Sequence, residues 1–141
     1  MIEIGEKGSK VFIYNKGKFL LQKRDDKKGI YYPNSWGLFG GKLELNEKPE
    51  IGLKRELIEE INWKDPELII LTTFHDKRHN TIIYLFSAKI EYLEYKGLIQ
   101  TEGQKMKFFD KKEIMNQKLI PEIYDGLHNM LESIDLYFKS N

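Results

Sequence analysis

Cysteine is absent from the 141 residues, which excludes disulfides, thiolate metal sites and a cysteine nucleophile. An excess of charge is missing as well: 23 Lys and Arg against 22 Asp and Glu leave a formal charge of +1. That balance gives no general attraction for duplex nucleic acid or an anionic membrane, so any anion has to be bound locally. No stretch approaches the roughly 18 apolar residues that signal a membrane span. The start, Met1-Ile2-Glu3-Ile4-Gly5-Glu6-Lys7, lacks the basic and apolar regions of a secretory signal. A cytoplasmic protein is expected, without membrane or duplex nucleic-acid partners. Internal repeats, low-complexity tracts and linkers are missing too.

What is present fits one ordinary globular domain over residues 1–141, with 40% hydrophobic and 32% charged residues. Two β-type runs, Lys10 to Tyr14 and Phe19 to Gln22, flank Asn15-Lys16-Gly17-Lys18, a turn of hairpin composition. A polar loop from Lys23 to Ser35 carries Arg24, Tyr31 and Tyr32. Trp36 to Phe39 reads as a short strand leading into Gly40-Gly41, with Trp36 and Phe39 in the core. Leu68 to Phe74 and Thr81 to Ile90 form a second hairpin around Asp76 to Asn80, and His75 and His79 beside that turn read as exposed. Glu91 to Gln100 reads as a strand end and a loop, and Met106 to Phe109 as a strand. A short helical turn over Lys111 to Asn116 and a last helix from Pro121 to about Phe138 follow. The spacing of Ile123, Leu127, Met130, Leu131, Ile134 and Phe138 lets that helix cover a sheet face.

The most informative stretch is 37–63. Pro49 suits a first helical turn, and from there to Ile61 the only poor helix former is Gly52. At about 100° per residue, Glu56, Glu59 and Glu60 share one face, with Leu57, Ile61, Ile58 and Ile51 roughly opposite. Like charges at these spacings repel, and neither Glu56 nor Glu59 has a Lys or Arg four residues on. A hard divalent cation, Mg²⁺ or Mn²⁺, suits such oxygen ligands and bridges naturally to phosphates. Taken alone, three glutamates on a helix read more simply as a solvated acidic face.

The spacing of the whole segment changes that reading. Gly41, five residues, Glu47, seven residues, then Arg55-Glu56-Leu57-Ile58-Glu59-Glu60 resembles the signature of the Nudix hydrolases, the MutT-like family, across Gly41 to Trp63. One position departs: Asn62 stands where the signature has Gly, and Asn is the next best residue for a left-handed helix end. The resemblance implies an α/β fold, the Nudix-type α/β/α sandwich with a mixed β-sheet. It also implies a catalytic set of Glu47, Arg55, Glu56, Glu59, Glu60 and Glu102. The metal, Mg²⁺ or Mn²⁺, would be held by Gly41, Glu56, Glu59, Glu60 and Glu102, with Arg55 pairing with Glu47 to hold Glu56. Glu102 enters through Glu102-Gly103-Gln104, placed like the loop from which several relatives supply a further carboxylate.

Substrate-binding candidates are Arg24 and Lys42 for phosphates and Tyr32 for a base, each of which reads equally well as an ordinary surface residue. The implied reaction is metal-dependent hydrolysis of the diphosphate bond in a nucleoside diphosphate linked to another group, such as a nucleoside triphosphate. Alternatives are a nucleotide-sugar or ADP-ribose pyrophosphatase, and a nucleotide-sensing domain that does not cleave. The Asn that oxidised-guanine readers place before the last helix is replaced by Leu119-Ile120-Pro121, with Asn116 nearby. Many members of the family pair as homodimers, though no stretch here marks an interface.

Overall fold

The computed structural model describes residues 5–101, 103 and 105–133. Among these residues seven strands and four helices follow in the order β1 (Glu6–Asn15), β2 (Lys18–Lys23), β3 (Trp36–Gly37), β4 (Phe39–Lys42), α1 (Pro49–Ile61), β5 (Ile69–Asp76), β6 (Thr81–Lys89), α2 (Tyr92–Lys96), β7 (Lys105–Asp110), α3 (Lys111–Met115) and α4 (Asp125–Ser133). The β1–β2 hairpin closes on Lys16 and Gly17, both with positive φ (48° and 76°), the geometry that lets a two-residue turn follow the twist of its strands.

All seven strands belong to one mixed sheet. On one side β1 pairs in parallel with β6 over all but its last residue, from Glu6 opposite Thr81 to Tyr14 opposite Lys89. On its other side β1 pairs with β2 only at its end, Ile13 to Asn15. Its earlier part pairs with β4, Gly8 opposite Lys42 through Val11 opposite Phe39. The same edge of β2 then continues onto β3, Gln22 opposite Gly37, while its far edge pairs with β7. Residues 36–42 are thus wedged between two diverging strands, and the wedge brings Gly40 and Gly41 to the mouth of the split.

Alternation along the strands gives the sheet two apolar faces. Phe12, Phe19, Leu21, Trp36, Leu38, Leu85 and Phe109 pack with Ile114 of α3 and Leu127, Met130 and Leu131 of α4. Val11, Ile13, Leu20, Phe39, Phe86 and Ala88 pack on the opposite side with Leu53, Leu57 and Ile61 of α1. Helices cover both faces, so the architecture is the expected α/β/α sandwich.

Three expectations are corrected. The segment after β6 is helical: Glu91 and Glu94 form a reciprocal capping box around α2, a spacing hidden among alternating Lys, Glu and Tyr. The last helix begins at Asp125 rather than Pro121, because Pro121 to Tyr124 form turns and an isolated bridge from Ile123 to Trp36; Ile134 and Phe138 lie outside the described residues. In α1, Ile51 and Ile58 are 56% and 45% exposed, while Leu53, Leu57 and Ile61 are buried. The apolar residues of this helix span two directions, and the sheet selects the stripe containing Leu53.

Candidate active site

The loop before α1 and the helix itself are joined by Arg55. Its Nε and Nη2 donate to the two carboxylate oxygens of Glu47 at 2.8 and 2.9 Å, its Nη1 donates to Glu56 at 3.0 Å, and its Nη2 also reaches the Lys42 carbonyl at 3.2 Å. A planar fork meeting a carboxylate along two parallel bonds fixes orientation as well as distance. The Arg55 hydrogen bonds, with the backbone N–H of Glu44, hold Glu47 down to about 2. Glu47 in return raises the Arg55 guanidinium above its ordinary value. Gly52 is the gap that admits this contact: a Cβ there would lie 2.3 Å from Leu43 Cδ2 and 2.7 Å from Glu47 Oε1. Side chains rather than loop backbone fill the space that the missing methyl leaves.

The helix ends as an asparagine at position 62 allows. Asn62 is left-handed at φ 56° and ψ 35°, its N–H donates to the Ile58 carbonyl, and the Trp63 N–H donates to Leu57. Ile99 and Thr101 then satisfy further carbonyls of the last turn: the Ile99 N–H reaches Ile61, the Thr101 N–H reaches Glu60, and the Thr101 hydroxyl reaches Glu59. This strap leads directly to Gly103, which lines the acidic cleft. Glu102 lies outside the described residues.

Glu60 is 3% exposed, on the side of α1 that packs rather than on an outer acidic face. Its carboxylate accepts from Gln22 Nε2 at 3.1 Å and from the Gly40 N–H at 3.3 Å. Burial, reinforced by neighbouring Glu56 and opposed by Lys10 and the Gly40 N–H, pushes its pKa up to about 8. Gly40 sits at φ 126°, and a Cβ there would fall 2.1 Å from the Ser9 carbonyl, so only glycine brings this loop against β1. At Gly41 a Cβ would stand 2.7 to 2.8 Å from the Glu56 carboxylate carbon and oxygens. The backbone of the glycine loop therefore lies directly against Glu56.

Glu56 and Glu60 line a cleft of about 290 Å³ together with Gln22, Arg24, Asp25, Lys27, Ile30, Gly40 and Gly103. Arg24, Ile30 and Gly40 also line a larger cavity of about 870 Å³, bounded by Tyr31, Tyr32, Phe74, Ile83, His79 and Tyr124 and by Gly41 and Lys42. Tyr32 stacks on Tyr124 at 4.4 Å and accepts from Arg78 Nη1 at 3.0 Å. Tyr31 lies over His79 at 3.9 Å, and His79 Nδ1 is 2.9 Å from Asp76 Oδ2. Arg24 is tied by its Nε to the Tyr31 carbonyl at 2.8 Å, and Lys42 pairs with Glu6 at 2.6 Å.

Of the sequence candidates, Gly41, Glu47, Arg55, Glu56 and Glu60 come together, with Arg24 opposite them. Glu59 does not join the cleft: its side chain is 49% exposed and turns toward Arg55 Nη1 at 3.4 Å. Lys42 and Tyr32 line the larger cavity rather than the cleft. His79 is corrected from an exposed turn residue to a cavity wall with a side chain only 15% exposed, because Tyr31 covers it. Lys10 had no signal in its own neighbourhood. For Tyr124, Gly37 and Gly126 held the clue, since a Cβ at either would meet its ring within 2.7 Å.

The donor set suits a hard cation. Glu56 and Glu60 offer carboxylate oxygens beside the Gly41 backbone, and Mg²⁺ commonly takes one or two carboxylates, with waters and phosphate oxygens for the rest. Among the described residues no group of three or more acidic, histidine or cysteine side chains is placed to hold a metal ion, so Glu56 and Glu60 stand as a pair.

A mixed sheet between helices, with an acidic cleft behind a glycine loop, defines an α/β/α sandwich that carries its cleft at the loop before α1. The NUDIX domain family model matches residues 7–130, and the chain belongs to the Nudix family. Its relatives include proteins named nucleoside triphosphatase NudI from Salmonella paratyphi B and from Escherichia coli O139:H28, each 32% identical over 84 residues. Those alignments take in 52% of this chain and 59% of the relatives' length. The fold matches a MutT Nudix hydrolase from Burkholderia pseudomallei (TM-score 0.72, 21% identity, 94% of this chain and 99% of that one). It also matches a MutT protein from Methanosarcina mazei Go1 (TM-score 0.76, 19% identity, 97% and 98%).

Proposed function

We propose that this protein hydrolyses a diphosphate linkage in a small nucleotide, with a nucleoside triphosphate as the favoured substrate. One observation carries the reading: the acidic cleft at Glu56 and Glu60 opens past Arg24 and Gly40 into an aromatic-walled cavity of a size to hold a nucleoside. A planar base fits the cavity, and the phosphates then extend across the glycine loop. The nucleoside triphosphatase activity named for the NudI relatives favours the triphosphate over a nucleotide sugar or ADP-ribose.

Glu56, Glu60 and the Gly41 carbonyl would hold Mg²⁺ or Mn²⁺, with Glu102 as a further carboxylate and Glu59 joining only on turning away from Arg55. When bound, the cation offsets charge on the diphosphate oxygens and acidifies a nearby water. The side chains do the remaining work. Arg55 locks Glu56 in one orientation through its fork on Glu47. Gln22 and the Gly40 N–H fix the Glu60 oxygens. Arg24, anchored to the loop by the Tyr31 carbonyl, faces the phosphate path, and the tyrosines keep the base on the far side of the loop.

A panel of nucleoside triphosphates, ADP-ribose and nucleotide sugars, assayed with Mg²⁺ or Mn²⁺ and with or without added phosphatase, tests this. Pyrophosphate and a nucleoside monophosphate from a triphosphate are expected. Two monophosphates from a sugar-linked diphosphate, with triphosphates untouched, would shift the assignment to that substrate class. Absence of turnover on every compound, with Mg²⁺-dependent nucleotide binding retained, would replace the enzyme reading with that of a sensor.

A further inference from the structure

Lys10 sits in the middle of β1, between the fully buried Ser9 and Val11, at a point where a lysine has no packing reason to be. Its backbone is opposite Gly40 on one side and Leu85 on the other. The half-buried side chain lines the larger cavity beside Arg24 and Gly40, at the boundary with the acidic cleft. Among the described residues its Nζ reaches one hydrogen-bond acceptor, the Gly40 carbonyl, at a long 3.4 Å, and forms no ion pair. An ammonium has three donors, and a cation drawn out of water is costly unless those donors find partners. That leaves two donors without an acceptor among the described residues, on a side chain that lines the cavity. Arg24, the second cation at this boundary, has its Nε taken by the Tyr31 carbonyl.

We propose that Lys10 is a substrate-binding residue whose ammonium, with Arg24, grips the phosphate nearest the nucleoside, where the chain of phosphates passes from the cavity to the cleft. This rests on the nucleotide reading above and goes further by assigning a residue outside the signature to one particular phosphate. Glu56 and Glu60 serve the opposite end of the same path. The arrangement places cations where the path leaves the base and carboxylates where it ends, so the ligand is held in one direction. Lys10 thereby sets which phosphorus lies over Glu56 and Glu60.

The test needs neither metal nor turnover, so its failure is separable from failure of the proposed reaction. Binding of the four deoxynucleoside monophosphates and of their parent deoxynucleosides is measured by calorimetry in EDTA. Wild type, Lys10→Met, Lys10→Gln and Lys10→Arg are compared, with thermal unfolding checked for each. Wild type should prefer at least one monophosphate to its nucleoside by about tenfold, the scale of a charge-assisted contact. Lys10→Met and Lys10→Gln should lose most of that preference while binding the nucleoside as before, and Lys10→Arg should keep part of it. If Lys10→Met does not fold, Lys10→Gln alone decides. A full phosphate preference in the folded neutral variants would overturn the proposal, leaving Lys10 as a counter-ion of Glu56 and Glu60. Absence of any phosphate preference in wild type, or equal loss of nucleoside and monophosphate binding, would overturn it too.

Discussion

Arg55 holds Glu47, Glu56 and the Lys42 carbonyl at once, and only a guanidinium can do so, since its donors leave in fixed directions from one plane. A lysine at this position would keep the charge and lose the fork, so Arg55→Lys should lower kcat on the order of tenfold or more, given the strength of a bidentate charged pair. Steady-state kinetics at saturating Mg²⁺ checks this, and near wild-type turnover would remove Arg55 from the account. The partner adds a pH signature. Glu47 is held down to about 2 from an ordinary 4.5, so its folded form binds protons less readily than the unfolded chain. Its contribution to stability is therefore complete above the unfolded value and lost as pH falls from about 4.5 toward 2. Urea unfolding at pH 7, 4 and 3 should show wild type losing more stability than Glu47→Gln across that window; parallel losses would contradict the pairing. These residues were legible in the sequence because their spacing is a signature. Lys10, His79 and Tyr124 were not, since Gly40, Tyr31 and Tyr32, which give them their places, are distant in sequence, and local pattern does not report such partners.

At the scale of the element, α1 shows how a site can oppose helix propensity. Replacing Gly52 with Ala gains about 1 kcal/mol of intrinsic helix preference. The new Cβ would lie 2.3 Å from Leu43 and 2.7 Å from Glu47, and overpacking of this kind costs about 1 to 3 kcal/mol. The clash should win: Gly52→Ala is expected to be less stable than wild type in urea unfolding and to lose turnover through a displaced Glu47. A stabilised, fully active variant would show that the close approach is incidental. The helix boundaries at Pro49 and Asn62 were readable from the sequence, because proline and a left-handed asparagine act locally. The direction of its packed stripe was not. Ile51 and Ile58 match the hydrophobic pattern as well as Leu53 does, and the sheet decides between them. The same limit hid α2, whose capping box uses Glu91 in a position more often held by Ser, Thr, Asp or Asn.

For the whole molecule, the split between β1 and β2 is the organising feature. Strands β3 and β4 enter the gap, the glycine loop emerges at its mouth, and the cleft and the cavity share Gly40 of that loop in their walls. Hairpins and amphipathic spacing made the strands and the helical layers readable. The parallel pairing of β1 with β6 joins residues about 75 apart, and only the mixed character of the sheet was implied in advance, by family likeness. On the proposed function cation and nucleotide meet in the same cleft, and each should then strengthen the binding of the other. In thermal unfolding, Mg²⁺ plus a nucleoside triphosphate should raise Tm by more than the sum of the separate shifts, and strictly additive shifts would argue for two unconnected sites.

The central claim is that Glu56 and Glu60 serve metal-assisted cleavage of a nucleotide diphosphate bond. Phosphorus NMR of a nucleoside triphosphate tests it most directly, followed with wild type and with folded Glu60→Gln, each in Mg²⁺ and in EDTA. The account predicts pyrophosphate and monophosphate signals from wild type in Mg²⁺ alone. Equal product formation by folded Glu60→Gln, or by wild type in EDTA, would contradict it.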